Sequence, residues 1–200
     1  MNQEFRFGEV LDATLKGICE LSGGQIHHLQ AHYELMLRWN QRLNLTSIRK
    51  PREIVERHYC ESVLLAIYLP EEFERVVDIG SGAGFPGFPV AVVRPQAQVT
   101  LVESHQRKAV FLREASRSLS NVRVVSQRAE TVREEFDWVI SRAVNPNGVV
   151  SLIPRLARRI ALLTGSEDAG QLSKGHIAWE APIPLPWGEK RVLLIGECST

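Results

Sequence analysis

Cysteine is scarce in this chain of 200 residues. Cys19, Cys60 and Cys198 are odd in number and far apart, which excludes a disulfide scaffold, and no two have zinc-ligand spacing. Long apolar runs are missing as well, since none approaches the roughly 18 residues that a membrane-spanning helix needs. Met1 to Val10 alternates polar and apolar residues and lacks the basic-then-apolar pattern of a secretory leader. No repeat or low-complexity tract is present. A charge excess of one sign is also missing: the net charge is +1, with 44% hydrophobic and 24% charged residues, too balanced for a disordered chain. His28 and His32 have i, i+4 spacing without a third ligand nearby, so no metal is expected. A cytoplasmic globular protein with one real core and a small helical extension is expected.

Lysine is rare too. Of the 24 basic residues only Lys16, Lys50, Lys108, Lys174 and Lys190 are lysine; the rest are arginine, whose planar fork grips phosphate bidentately. A GC-rich coding bias produces the same composition, so distribution is more telling. Between His105 and Arg128 stand Arg107, Lys108, Arg113, Arg117, Arg123 and Arg128 against Glu114 alone. Arg142 to Ile160 contains four arginines and no acid, and Met36 to Arg57 has six cations against Glu53 and Glu56. Such local excesses suggest one basic face in a near-neutral chain.

The first seventy residues read as helices. Ile26, Leu29, Tyr33, Met36 or Leu37, and Leu43 recur at helical spacing after Gly23-Gly24, and Pro51 opens a second pattern through Ile54, His58, Leu65 and Leu69. The period then changes. Strands are expected at Val76–Ile79, Val99–Glu103, Val122–Ser126, Phe136–Ser141 and Ala161–Leu163. Helices are expected at Arg107–Leu119 and Pro146–Arg159, a polar loop at Ser166–Gly175, and a hairpin from Ile177 to Ile195. This alternation implies a mostly parallel sheet with helices on both faces, closed by an antiparallel strand. Residues 1–72 form the helical extension and residues 73–200 the α/β domain.

The first strand ends in Gly80-Ser81-Gly82-Ala83-Gly84-Phe85-Pro86-Gly87. Gly82 to Gly87 reads G-x-G-x-x-G, with Glu103 sixteen residues further on, at the end of the next strand. That pattern suits NAD or S-adenosylmethionine, whose adenosine ribose is common to both. Asp78 favours the methyl donor, because a carboxylate there attracts an ammonium and a sulfonium but repels a pyrophosphate. The Tyr-x-x-x-Lys pair of a short-chain reductase is absent.

The acceptor is approached by elimination. Asn145-Pro146-Asn147-Gly148 fails the amino-methylating Asp/Asn-Pro-Pro-Tyr/Phe pattern in its last two residues, and no cysteine follows a proline as cytosine C5 chemistry requires. Guanine N7 needs neither a nucleophile nor a base, although proteins and small molecules stay open as acceptors.

Several blocks resemble the glucose-inhibited division protein B (GidB/RsmG) family of bacterial 16S ribosomal RNA guanine-N7 methyltransferases. They are Arg38-Trp39-Asn40, Asn44-Leu45-Thr46, Arg57 to Ser62, Asp78 to Pro89, Glu103-Ser104, Arg107-Lys108 with Phe111-Leu112, and Ser141-Arg142-Ala143. The resemblance implies a class I S-adenosylmethionine-dependent methyltransferase, Rossmann-like, with an N-terminal helical extension. It would act on a guanine in the decoding-region loop of 16S rRNA, with that rRNA or the small ribosomal subunit as partner; nothing in the chain demands a dimer, so a monomer is expected. Asp78, Gly80, Gly82, Gly84, Phe85, Glu103, Ser104, Ala129, Glu130 and Arg142 then hold the donor. Arg142 also faces the incoming base, and no residue acts as general acid or base. Arg57, Arg107, Lys108 and Arg113 are the expected RNA contacts. The chain departs from the family's usual pattern at Glu61, where Asp is usual, at Thr164, where Lys is usual, and at Val144-Asn145-Pro146. An RNA-binding relative with lost or altered activity is the competing reading.

Overall fold

The structure, a computed structural model, describes residues 5–142, 146–172 and 176–198; Ala143, Val144, Asn145 and Gly175 of the readings above lie outside the described residues. Helices come first: α1 (Phe7–Leu15) and α2 (Gly23–Leu43). Ser22 starts α2 through a capping box, its Oγ accepting from Gln25 N at 3.2 Å while Gln25 Oε1 accepts from Ser22 N at 2.8 Å. Asn44 ends the helix in the left-handed region at φ 47°. Pro51 opens a continuous helical run made of α3 (Pro51–Ile54), a wide π-turn over Val55–Cys60, and α4 (Glu61–Tyr68).

The α/β part follows as β1 (Arg75–Ile79), α5 (Gly87–Val93), β2 (Gln98–Val102), α6 (Gln106–Ala115), β3 (Val122–Val125), a single 3-10 turn at Ala129–Thr131, and β4 (Phe136–Arg142). Then come α7 (Pro146–Val150), α8 (Ile153–Leu156), β5 (Ala157–Gly165), α9 (Ser166–Gly170), β6 (Ile177–Trp179), β7 (Ile183–Pro184) and β8 (Arg191–Cys198). One sheet runs β3-β2-β1-β4-β5-β8-β6, with β7 also on β8. Strands β1 to β5 are parallel, and β8 is antiparallel to β5, β6 and β7. The mostly parallel sheet closed by an antiparallel strand is thus as expected. Its order reverses between β1 and β4, which opens a crevice at their carboxyl ends.

Two local expectations are corrected. The apolar spacing of Pro146–Arg159 reads as one helix, yet two short helices stand there and β5 begins at Ala157, because Ala157 and Arg159 pair with Phe136 and Trp138 of β4. The polar segment after Gly165 starts with α9 instead of loop.

Strand residues alternate between two buried cores. Val76, Leu101, Ile140, Ala161 and Leu193 face one side, and Val77, Val102, Val139, Ile160 and Leu194 face the other. The first core also contains Leu11, Leu29, Met36, Tyr59 and Leu65, so the helical segment covers that face of the sheet. Arg94 ties the two parts together, donating from Nε to Ala66 O at 3.0 Å and from Nη2 to Leu69 O at 2.8 Å across the end of α4. Among the described residues, no helix is long and apolar enough to cross a membrane.

His32 of α2 sits inside the first core, 1% exposed. Its Nδ1 is 2.7 Å from the Tyr59 hydroxyl, its Nε2 is 3.0 Å from Ala83 O, and its ring stacks on Phe88 at 4.2 Å. Burial pushes its pKa down to about 3, against a smaller upward pull from the Ala83 carbonyl. The unfolded chain therefore binds a proton first, and the stability that neutral His32 contributes is present above about pH 6.5 and lost as pH falls toward 3. Between pH 6 and pH 4.5, urea titrations of wild type should lose about 1.4 kcal/mol per pH unit more than those of His32→Gln. Equal slopes would show that His32 is not held neutral.

Candidate active site

The site begins where β1 turns. Gly80 and Gly84 adopt φ of 71° and 92°, conformations that a side chain would strain. The main chain of the turn is tied to β2: Gly80 N and Ser81 N both donate to Val102 O, at 3.0 and 3.1 Å. Two carboxylates pin its flanks. Glu103 takes Gly82 N on Oε2 at 2.9 Å and His105 N on Oε1 at 2.7 Å, while Asp78 Oδ2 takes Gly87 N at 3.0 Å. Gly87 has to be glycine here, since a Cβ would stand 2.7 Å from Asp78 Oδ2 and would collide with Leu101.

Asp78 is fully buried, and its Oδ1 has no hydrogen-bond partner among the described residues. Burial raises its pKa to about 7; the hydrogen bonds from Gly87 and Ser81 oppose the shift, and the nearby Glu103 charge adds to it. At neutral pH this carboxyl is poised between its two forms.

Beside the turn lies a cavity of about 300 Å³. Ile79, Val102, Val149 and Leu152 give it apolar walls, and Gly80, Ser104, Gln127, Ala129 and Glu130 stand at its polar side. Arg155 clamps that polar side, its Nη1 donating to Glu130 O at 2.8 Å and its Nη2 to Ala129 O at 3.2 Å. Of the residues expected at the donor, Gly80, Ser104, Ala129 and Glu130 line this cavity. Asp78, Gly82 and Glu103 stand behind it and shape the turn.

Gly84 and Phe85 are placed elsewhere. A Cβ on Gly84 would meet His32 Nε2 and Phe88 Cβ at 3.2 Å, so this glycine permits close packing beneath the loop. Phe85, expected to line the donor pocket, is 5% exposed and lies flat on His58 at 4.6 Å, with Tyr59 edge-on at 5.0 Å. The aromatic column claims it because its exposure would forfeit that burial.

Arg142 needs a similar correction. It is expected to face the donor and the incoming base, yet its side chain is 10% exposed and its Nε is 3.5 Å from Glu61 Oε2. Glu61 itself is completely buried and accepts Arg191 Nη2 at 2.8 Å and Arg191 Nε at 3.3 Å. Arg57, expected on RNA, has Nε 3.6 Å from Glu61 and Nη1 3.7 Å from Glu53. One carboxylate thus serves three guanidinium groups. Burial lowers the Arg142 pKa to about 10, with Glu61 opposing the shift, so Arg142 remains cationic at neutral pH. The departure at Glu61 acquires a physical account: a glutamate carries its carboxylate one methylene further than an aspartate, which extends its reach toward Arg191 on β8.

His58 belongs to the same cluster. Its Nε2 is 2.7 Å from Thr46 Oγ1, and Asn40 fastens Thr46 by accepting Thr46 N at 3.0 Å and donating to Thr46 O at 3.1 Å. Burial first, and then the charges of Arg142 and Arg57, push its pKa well below the ordinary histidine range, so it stays neutral. Arg107 and Arg113 are exposed and Lys108 is half-buried on α6. Thr164, at the other departure, is buried in β5 opposite Val192. Sequence reasoning missed the apolar slot, although Ile79 and Val102 were findable as the last residues of their strands. It also missed Glu61 and Arg191 as partners, since 130 positions separate them.

Comparison with known proteins bears on this geometry. Residues 25–176 match the family described as rRNA small subunit methyltransferase G, GidB. The chain is 44% identical over 157 residues to ribosomal RNA small subunit methyltransferase G of Xylella fastidiosa strain M23, covering 76% of this chain and 73% of the relative. A protein of the same name from Xanthomonas campestris pv. campestris strain B100 is 42% identical over 181 residues, covering 84% of each chain. In structure, the chain is similar to Aeropyrum pernix fibrillarin solved with natively bound S-adenosyl-L-methionine, with TM-score 0.56 and 17% identity over 68% of this chain and 73% of that one. Methanococcus jannaschii fibrillarin, a pre-rRNA processing protein, gives TM-score 0.56 and 16% identity over 68% and 74%. Those two likenesses establish the α/β fold; the match from residue 25 to residue 176 establishes that this chain belongs to the rRNA small subunit methyltransferase G family.

Proposed function

We propose that this protein transfers a methyl group from S-adenosylmethionine to N7 of a guanine in the decoding-region loop of bacterial 16S rRNA. It acts in the cytoplasm as a monomer, with residues 1–72 as a helical extension to a donor-binding domain of residues 73–200. The observation that carries this reading is the glycine turn, pinned by Asp78 and Glu103 at the edge of the apolar cavity. Family membership and the names of the relatives point the same way.

The residues present fit the donor. Asp78 has a buried oxygen beside the loop without a hydrogen-bond partner among the described residues, which suits a ligand bearing positive charge. Glu103 spends one lone pair of each oxygen on the backbone and keeps the others for ribose hydroxyls. Ile79, Val102, Val149 and Leu152 offer apolar walls for an adenine, with Ser104 and the Ala129–Glu130 main chain beside them. When bound, S-adenosylmethionine supplies a methyl carbon carried on a positively charged sulfur.

This chain's task is then to orient and to exclude water, which are terms that intramolecular reactions use to large effect. Guanine N7 presents a free lone pair, so no side chain has to remove a proton before attack. His58 is neutral, buried and engaged with Thr46, and Arg142 is held against Glu61. Arg142, with Arg191 and Arg57, leaves an excess of positive charge at the end of β4 that favours a phosphate-bearing acceptor.

Three outcomes test this reading. Labelled methyl from S-adenosylmethionine should appear in 7-methylguanosine when small-subunit particles from cells lacking that modification are the substrate. Donor binding without label in RNA would select the altered-activity relative instead. In single turnover at saturating donor, the transfer rate should stay nearly flat from about pH 6.5 to 8.5, and a bell-shaped profile would reveal a general base. Donor affinity should behave differently. It should weaken below about pH 7 as Asp78 takes a proton, and Asp78→Asn should lower it about tenfold at pH 8 and remove the pH dependence. Calorimetry reads both changes, and an unaltered affinity at pH 8 would confine Asp78 to shaping the loop.

A further inference from the structure

Some arginines of this chain are engaged by carboxylates and others are not. Arg75 and Arg123 share Glu134, and Arg57, Arg142 and Arg191 share Glu61. Arg38, Arg42 and Arg107 are exposed and make no ion pair or side-chain hydrogen bond among the described residues. All three line one groove between α2 and α6, with a volume of about 530 Å³. Leu35, Leu43 and Trp39 supply its apolar surface, and Glu114 is its single acid.

We propose that this groove holds a single-stranded segment of the RNA substrate, an inference that rests on the RNA methyltransferase reading above. Arg38 and Arg42 are four residues apart on α2 and therefore project from one helix face, where two guanidinium forks can grip successive phosphates. Trp39 lies between them in sequence and is half-buried, braced at its edge by Phe111 with ring centroids 5.9 Å apart. A rigid indole beside unpaired guanidinium groups is the combination that stacks a base while neutralising its backbone. An acidic peptide would satisfy the arginines and leave the indole without a purpose. Position supports the assignment, because Arg107 stands in the first turn of α6, three residues past Ser104 at the donor cavity. RNA lying in the groove thus leads to the site of transfer. Lys108 and Arg113 do not line it.

The test uses the whole chain and a fluorescein-labelled single-stranded oligoribonucleotide, read by anisotropy across a salt series. Replacing all three arginines (Arg38→Gln, Arg42→Gln, Arg107→Gln) should weaken RNA binding at least tenfold at low salt. It should also reduce the slope of log affinity against log salt by about 2, since each phosphate contact on a single strand contributes about 0.7. Donor affinity by calorimetry should not change, which would show that the variant is folded. Trp39→Leu should weaken binding and leave the salt slope as it was, because stacking releases no counterions. An unchanged slope and affinity in the triple variant would overturn the proposal. So would displacement of the RNA by polyglutamate as readily as by unlabelled RNA, which would assign the groove to acidic proteins. Loss of methyl transfer to RNA in wild type, with RNA binding that the triple variant weakens, would sink the methylation reading and leave the groove assignment standing.

Discussion

The architecture of the active end turns on one carboxylate taken wholly out of water. Glu61 is completely buried, and three arginines from three different parts of the chain converge on it. Removing such a charge from solvent costs several kcal/mol, an expense offset only when good pairing geometry and hydrogen bonds replace the lost water. Arg191 supplies the hydrogen bonds, and Arg142 and Arg57 supply further attraction at 3.5 and 3.6 Å. The start of α4, the end of β4 and the start of β8 are consequently fixed relative to one another. The cluster carries more positive than negative charge, and that surplus helps to keep His58 neutral.

A column of polar and aromatic contacts extends the constraint to the glycine loop. Asn40 holds Thr46, Thr46 meets His58, and His58 lies on Phe85 within the loop itself. His32 meets the same loop through Ala83 O. Asn40, Thr46 and His58, which stand in three separate blocks of the sequence, are thereby joined in space. The helical segment therefore supports the loop from beneath while the carboxylates of Asp78 and Glu103 hold its flanks. The shape of the glycine loop thus depends on side chains of the helical segment that lie well away from the cavity beside it.

Such long-range assembly explains which features were legible in the sequence. Strand and helix alternation and the ends of β1 and β2 have local signatures, because burial on both faces demands runs such as Val76-Val77-Asp78-Ile79, whereas Glu103, read as a ribose ligand, gave no sign that it would hold Gly82 N and His105 N. The span from Pro146 to Arg159 misled, since helical spacing of Val149, Leu152 and Leu156 is real and is outcompeted only by the pairing of Ala157–Arg159 with β4. Phe85 misled in another way: a loop residue beside a ligand motif reads as a ligand contact until the rings packed on it are known. Arg142 reads as free for the same reason, because neither Glu61 nor Arg191 is near it in the chain. Residues whose roles depend on distant partners leave no periodicity to detect.

A near-neutral chain can still present a cationic face to a polyanion. Its formal charge counts every acid equally, but Glu61, Asp78 and Glu103 are buried, and Asp78 has a pKa near 7. Their negative charge is spent on Arg191, on backbone donors and on one another's neighbourhood, and little of it reaches solvent. The cations are distributed otherwise, since Arg38, Arg42 and Arg107 are exposed without partners among the described residues while the Glu61 cluster has a surplus. Burying acids and exposing arginines on one side creates a local field that no whole-chain sum reveals.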